Sequence, residues 1–582
     1  MSSSAIIDFR PSHLLLNPNF DGYKLSLDPV PVLKNELTAS PRRMFTSDEQ
    51  YTFLHAKLFS LHNHLVQDPW IECSCYFIDE NWTIQNVRYD TPTGKLGAVK
   101  AVHKVPKPAN TTVHGDYNVT LKFVSEKFAI FGDGCGGLKI FNTGDRYRVE
   151  EWKTIFSDTI HENAIPFVIQ DARWEIINNI HQIHCLLLSI QQNKQNDDEK
   201  YEAVLDWIVV KRDAQSNTWT KSHVRQLKGK TLPEYCVFEP KCNGILISAD
   251  QKFEFSFDNE NPIVEKKVAE SVKEENTTDG GEGEKKSDFI WTQNDEDVTI
   301  HFNIPHDTSK QEITVISNGE NLQVRLRNES LLNGELFQAV DKDLTTWNLG
   351  NESLQVVLVK QVSSFTWPSL LKDVIIPPSE MPLQPIRELS LPPSNLRTEM
   401  EDCDFGDVEM DKEHSFVRMD AITHQITHKA NLGSNNPVLF TLCLRAGSPL
   451  ALALRNDVDA CVWLPYIQSN TENELTMNIK HEGTLNAFGY IQASKQQKKF
   501  MQCSPDMNYA IICEPHRHIF VYKSTYASAA GLKNRNSSTK ISIGQQKLIT
   551  MDESDEVLGI VCQNETTILL TQKHVLCLQI NS

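Results

Sequence analysis

Phe289-Ile-Trp291-Thr-Gln293 and Val298-Thr-Ile300-His-Phe302-Asn-Ile304-Pro305 open a stretch that runs to Asp373. Leu332-Asn-Gly334-Glu-Leu336, Thr345-Thr-Trp347-Asn-Leu349, Leu354-Gln-Val356-Val-Leu358 and Phe365-Thr-Trp367-Pro368 continue it. Apolar residues at every second position place their side chains on one face of an extended strand. The runs are short and separated by turn formers such as Asn318-Gly319, Asn333-Gly334 and Gly350-Asn351. The stretch reads as a small antiparallel β-sandwich of about seven short strands. It carries no catalytic pattern.

The same texture extends outward on both sides. Val119-Thr-Leu121-Lys-Phe123, Phe128-Ala-Ile130-Phe131, Leu138-Lys-Ile140-Phe141, Trp207-Ile-Val-Val210 and Ile245-Leu-Ile247 are strands by the same argument. Helical periodicity is scarce, and Glu49 to His64 is the best helix candidate. A strand–turn–strand theme recurs at Phe128–Phe141, Tyr235–Phe255, Leu452–Trp463, Met501–Tyr522 and Leu558–Ile580. Such repetition favours a propeller, because a single blade cannot bury both of its faces.

Two segments break the texture. Val264 to Lys286 is acidic and contains Gly280-Gly281 and Gly283, as a flexible linker does. Val374 to about His414 carries Pro377-Pro378, Pro382, Pro385 and Pro392-Pro393 and then an acidic cluster from Glu399 to Glu409. The expected organisation is therefore an N-terminal arm at 1–262 and a linker at 263–285. The sandwich follows at 286–373, a second linker at 374–413 and a C-terminal arm at 414–582. Each arm is awkward in length alone; together they allow roughly seven blades at about 40–45 residues each. The all-β reading is one propeller closed by both arms with the sandwich inserted, the alternative being two separate β domains. Closure by both ends of the chain removes exposed sheet edges.

Composition bounds the function. The 582 residues are 40% hydrophobic and 23% charged, with a formal net charge of −19. That charge argues against nucleic acid as the main partner, since phosphate contacts need clustered Lys and Arg. No apolar run reaches the ~20 residues of a membrane helix. Met1-Ser-Ser-Ser-Ala-Ile-Ile-Asp-Phe-Arg lacks the form of a secretory signal. A cytoplasmic and nuclear location, with reduced cysteines, is expected. The thiols of Cys73 and Cys75 are expected on one strand face, and no CxxC pair marks a zinc site.

Gly132-Asp-Gly134-Cys-Gly136-Gly137 matches G-x-G-x-x-G, but a strand follows it where a dinucleotide site needs a helix, so it reads as a hairpin turn. Gly229-Lys-Thr231 has Val224 where a phosphate loop needs glycine. His181 and His184, and His516 and His518 on one face of a strand, lack partners at metal-site spacing and read as polar strand residues. Asp457 and Asp459 sit in a turn. Trp291, Trp347 and Trp367 are expected to pack the sandwich, and Lys342, Lys360 and Lys372 to lie on its surface.

The sandwich resembles a CS domain, the module of NudC proteins and of co-chaperones of heat-shock protein 90. The residues that carry the resemblance are Trp291, Gln293, Gly334, Trp347, Trp367 and Pro368 in the runs quoted above, and a structural role is expected for them. A wider resemblance to CS-domain proteins of the NudC family rests on three segments. They are Asn17-Pro-Asn-Phe-Asp-Gly22-Tyr-Lys-Leu-Ser-Leu, Leu454-Arg-Asn-Asp-Val-Asp459-Ala-Cys-Val-Trp463 and Phe488-Gly-Tyr-Ile-Gln-Ala-Ser-Lys495. It covers most of the chain and is least clear in the linkers.

The resemblance implies a non-enzymatic co-chaperone or adaptor, with heat-shock protein 90 and client proteins, including β-propellers, as partners. It brings no catalytic, cofactor or metal-binding residues, and it leaves the partner-binding residues and the client unassigned. Two other readings stand beside it: an interaction scaffold without chaperone work, and an enzyme using a central-channel site.

Overall fold

The computed structural model describes residues 5–108, 115–148, 151–193, 201–263, 289–293, 297–304, 308, 312–327, 329–349, 353–361, 367–372, 414–433, 438–469, 475–524, 541–551 and 555–581. The chain divides into two compact units, one of Met1–Lys267 with Phe405–Ser582 and the other of Val268–Asp404. Nearly all of 263–285 and all of 374–413, the two expected linkers, lie outside the described residues.

The larger unit is a seven-bladed propeller. Among the described residues its strands form seven antiparallel sheets, taken in chain order. The first blade is Val66–Gln67, Ser74–Ile78, Thr83–Asp90 and Lys100–Lys104, and the second runs from Thr120–Phe123 to Lys153–Thr159. The third holds four strands from Val168–Ile177 to Trp219–Gly229. The fourth combines Tyr235–Phe238 and Gly244–Ala249 with His414–Asp420 and Ile426–Gly433, so both arms build it. The fifth spans Val438–Leu442 to Leu475–Leu485 and the sixth Phe500–Cys503 to Ser542–Thr550. The seventh takes three C-terminal strands, Val557–Cys562, Thr566–Thr571 and His574–Gln579, and receives Val32–Glu36 from the N-terminus, with Leu33 opposite Cys577.

Burial explains this arrangement. Ser74–Ile78 and Tyr509–Cys513 are buried at every position, because each face of a blade is covered by a neighbour. The apolar clusters lie between blades rather than within them. Trp207 and Leu186 of the third blade pack with Phe238 and Ile245 of the fourth, and Val87 and Phe77 of the first with Ile568 and Leu570 of the seventh. The ring is thus closed by packing as well as by strand pairing. A buried ion pair adds to the seam between the first two blades. Arg146 donates to both carboxylate oxygens of Asp68, at 2.7 and 3.0 Å, and lies 4.6 Å above the Phe123 ring.

The N-terminal segment runs along the outside. Ala5–Ile6 pairs in parallel with the fourth blade and Phe20–Leu25 with the sixth. The expected helix at 49–64 is present only over Phe53–Ser60. Thr52 Oγ1 accepts from His55 N–H and starts it there. Beyond it the Asn63 amide bonds both backbone groups of Ile560, which draws the chain into the seam between the seventh and first blades.

The smaller unit is a β-sandwich of seven described strands. Phe289–Gln293, Asp297–Asn303, Ser353–Lys360 and Val340–Leu349 form one sheet in that order; Ile313–Ser317, Asn321–Leu326 and Glu329–Glu335 form the other. Alternation does what the sequence pattern requires: Val298, Ile300 and Phe302 point inward to meet Leu354, Val356 and Leu358.

Candidate interaction site

In the sandwich, Trp291 and Trp367 are fully buried. Gln293 joins the first strand to the last segment. Its Nε2 donates to Trp367 O at 2.7 Å, and its Oε1 accepts from Trp367 N–H at 2.7 Å and from Lys360 Nζ at 3.0 Å. A side-chain amide matches a backbone amide donor for acceptor, so glutamine here mimics one rung of a β ladder. Trp347 is half-buried against the same core, and Pro368 is exposed. A β-carbon on Gly334 would come within 2.8 Å of Leu371 Cδ1, so its absence lets the segment after Trp367 lie on Glu329–Glu335. Phe337 N–H to Leu370 O and Lys372 N–H to Glu335 O fix that segment.

Lys360 is not on the surface as expected. It is buried, and its ammonium is held by Gln293. Lys342 is exposed, and Lys372 pairs with Glu335. The outward rungs of the larger sheet carry Thr292, Thr299, Val357 and Thr346, and beside them His301 and Gln355. The smaller sheet turns Thr314, Ile316 and Arg325 outward, with Ile316 55% exposed. The described residues of the unit therefore offer two mixed polar and aliphatic faces suited to protein contact.

The chain leaves for this unit from the edge of the third blade and returns into the fourth. After Gly244–Ala249, the strand Phe253–Asp258 pairs with the outer strand of the third blade. Asp258 then receives Arg225 Nε at 3.0 Å and His424 Nε2 at 2.9 Å. Burial raises the Asp258 carboxyl, but His424, the N–H groups of Asn261 and Glu260, and the Arg225 charge outweigh it and hold it below the usual carboxylate range. Arg418 and Glu239 form a second link between the arms. Sequence reading did not find these pairs; the one signal was Arg418 set among Phe416, Val417 and Met419.

The remaining motifs are structural. Gly132–Gly137 is a hairpin turn in which Asp133 Oδ1 accepts from the N–H groups of Cys135 and Gly137, each at 2.8 Å. His184 Nδ1 accepts from the Trp207 indole at 3.0 Å. His516 lies in a turn rather than on a strand face with His518, because Arg517 takes a φ of 73°; His518 pairs with Glu514. Cys73 likewise sits in the turn before Ser74–Ile78, at φ 55°, though both Cys73 and Cys75 pack in the seam of the seventh and first blades. Asp459 Oδ1 accepts from Ala487 N–H at 2.6 Å. Among the described residues no three metal-ligating side chains converge, and no helix is long and apolar enough to cross a membrane.

Residues 287–360 match the CS domain family. Over its full length the chain is 29% identical to NudC domain-containing protein 1 of Mus musculus, covering 100% of this chain and 99% of that protein. It is also 29% identical to the protein of the same name from Xenopus tropicalis, with 98% of each covered. Among solved structures, the nuclear movement protein from E. cuniculi GB-M1 matches at 25% identity and a TM-score of 0.14, covering 15% of this chain and 99% of that one. The WD40 domain of SCAP from fission yeast matches at 9% identity and a TM-score of 0.25, covering 95% and 98%.

Proposed function

We propose, from the premise that this chain carries a CS domain and is a full-length relative of NudC domain-containing protein 1, that it is a non-enzymatic chaperone adaptor. The CS sandwich engages heat-shock protein 90 or a non-native client, and the propeller holds a specific partner, in the cytoplasm and nucleus. Residues 263–285 and 374–413 serve as the two tethers. The observation that carries this reading is the insertion point. The chain leaves the propeller after Phe253–Asp258 on the outer edge of the third blade and rejoins it at His414–Asp420 in the adjacent fourth, beside Gly244–Ala249. Double attachment keeps it at high effective concentration beside whatever the propeller binds.

Deleting residues 288–373 tests the division of labour. The deleted chain is expected to keep partner capture by the propeller and to stop suppressing aggregation of a destabilised β-propeller client. Loss of both activities from a chain that still folds contradicts the reading. An intact chain that never suppresses aggregation, with or without heat-shock protein 90, supports a scaffold without chaperone work.

A further inference from the structure

The blades surround an open cavity of about 610 Å³, within the range of about 300–1,000 Å³ found for small-molecule sites. The first strands of six blades line it, with Leu232 and Pro233 leading into the fourth, and the helix Phe53–Ser60 contributes Lys57 and Leu58. Its charge opposes that of the chain. Arg42, Lys57, Lys122 and Arg173 line it against a single carboxylate, Asp171, although the whole chain carries −19. A cation-lined concavity with apolar walls concentrates anions.

The charged groups of the lining differ in their partners. Asp171 already accepts from Phe238 N–H at 2.8 Å, and Arg173 is engaged by Glu175 and by Gly447 O. Lys122 is different. Thr120, Leu121 and Phe123 around it are buried, Lys122 is half-buried, and its ammonium has no hydrogen-bond or ion-pair partner among the described residues. Lys122 lines the cavity together with His62, Asp171 and Cys443, which come from three different parts of the wall. Arg42, a further lining cation, lies 4.0 Å over the Trp82 ring and has no ion-pair partner among the described residues. An anion in the cavity would supply the counter-charge that these cations lack.

We propose that the central cavity binds a compact polyanionic small molecule bearing phosphate or carboxylate groups, with Lys122 as its principal charge contact. Phe440, Leu442 and Val168 supply apolar contact to its body. This site stands apart from the chaperone reading and does not depend on it.

Isothermal titration of the full chain with pyrophosphate and with citrate, at constant ionic strength, tests the proposal. At least one is expected to bind saturably at one site, at least tenfold more weakly to Lys122→Gln, with Lys122→Arg retaining most of the affinity and Lys342→Gln unchanged. Binding of pyrophosphate alone marks a phosphate ligand, and of citrate alone a carboxylate. Should Lys122→Gln fail to fold, Lys57→Gln carries the same comparison. If neither anion binds saturably, or if the glutamine variants bind as the natural chain does, the proposal is wrong.

Discussion

Arg418 and Glu239 are 179 positions apart in sequence and meet through two parallel bonds, Nε to Oε2 at 2.6 Å and Nη2 to Oε1 at 2.7 Å. Arg418 belongs to the C-terminal arm and Glu239 to the N-terminal arm, so the pair spans the insertion within the fourth blade. Glu239 is only 1% exposed at its side chain. Arg418→Ala leaves that carboxylate buried without its guanidinium and is expected to destabilise the propeller by about 3 kcal/mol. Lysine cannot reproduce the fork, so Arg418→Lys should recover less than half. Urea unfolding followed by far-ultraviolet circular dichroism reads both variants; a midpoint unchanged in Arg418→Ala contradicts a linking role.

The hairpin reading of Gly132–Gly137 has its own consequence. Gly134 has a φ of +74°, and a β-carbon there would sit 2.1 Å from Tyr117 O. Backbone cannot yield as a side chain can. Gly134→Ala should therefore destabilise the chain by about 2 kcal/mol or more, from the left-handed conformation together with the clash. Gly447, with a φ of +75° and open space around it, should suffer only the conformational part, roughly 1 kcal/mol. Equal losses at the two positions, measured by thermal unfolding, would show that close approach at Gly134 is unimportant.

Strand alternation made the sandwich and the blade texture readable in sequence, because period two records burial of one face directly. Acidic and Pro-rich composition interrupts that texture on either side of the sandwich. What alternation could not show was pairing at a distance. Val32–Glu36 closes the seventh blade and Ala5–Ile6 joins the fourth, yet neither short segment says which sheet edge it will meet. Lys360 illustrates the same limit. Its alternation partners Val356 and Leu358 placed it inward, but lysine is so seldom buried that composition argued for the surface. The Gln293 carbonyl, 67 positions earlier, accepts from its ammonium there. The cationic cavity was invisible for a related reason: Arg42, Lys57, Lys122 and Arg173 come from a loop, a helix and two separate strands, and only ring closure assembles them.

Acid should weaken the propeller through buried histidines. Burial pushes His184 down to about 3 and His55 down to about 4. The Trp207 indole donates to His184 Nδ1, which requires the neutral ring. The unfolded chain takes up these protons near pH 6.5 and the folded one does not, so stability is complete above about pH 6.5 and declines as pH falls toward the folded values. Each histidine contributes a slope of roughly 1.4 kcal/mol per pH unit in that window. Urea midpoints at pH 7.5 and 5.5 should differ accordingly, and His184→Gln should reduce the difference. A pH-independent midpoint would place both rings in contact with water.

Gln293 gives the sharpest test of the sandwich. Its amide is matched to both backbone groups of Trp367 and also holds Lys360. Gln293→Ala removes all three bonds and leaves buried polar groups without this partner, a loss of about 2–4 kcal/mol. Gln293→Glu is the more discriminating change. The carboxylate keeps Trp367 N–H and gains attraction to Lys360, but its second oxygen faces Trp367 O, an acceptor against an acceptor. The glutamate variant should therefore fall between the natural chain and the alanine variant at neutral pH. It should recover at acid pH, where a protonated carboxyl can donate to Trp367 O. Hydrogen exchange of Phe289–Gln293 and Asp297–Asn303 in the full chain, compared at pH 7 and pH 5 after correction for intrinsic rates, isolates the sandwich from the propeller. If the glutamate variant exchanges faster than the alanine variant at both pH values, the ladder role assigned to this side chain is wrong.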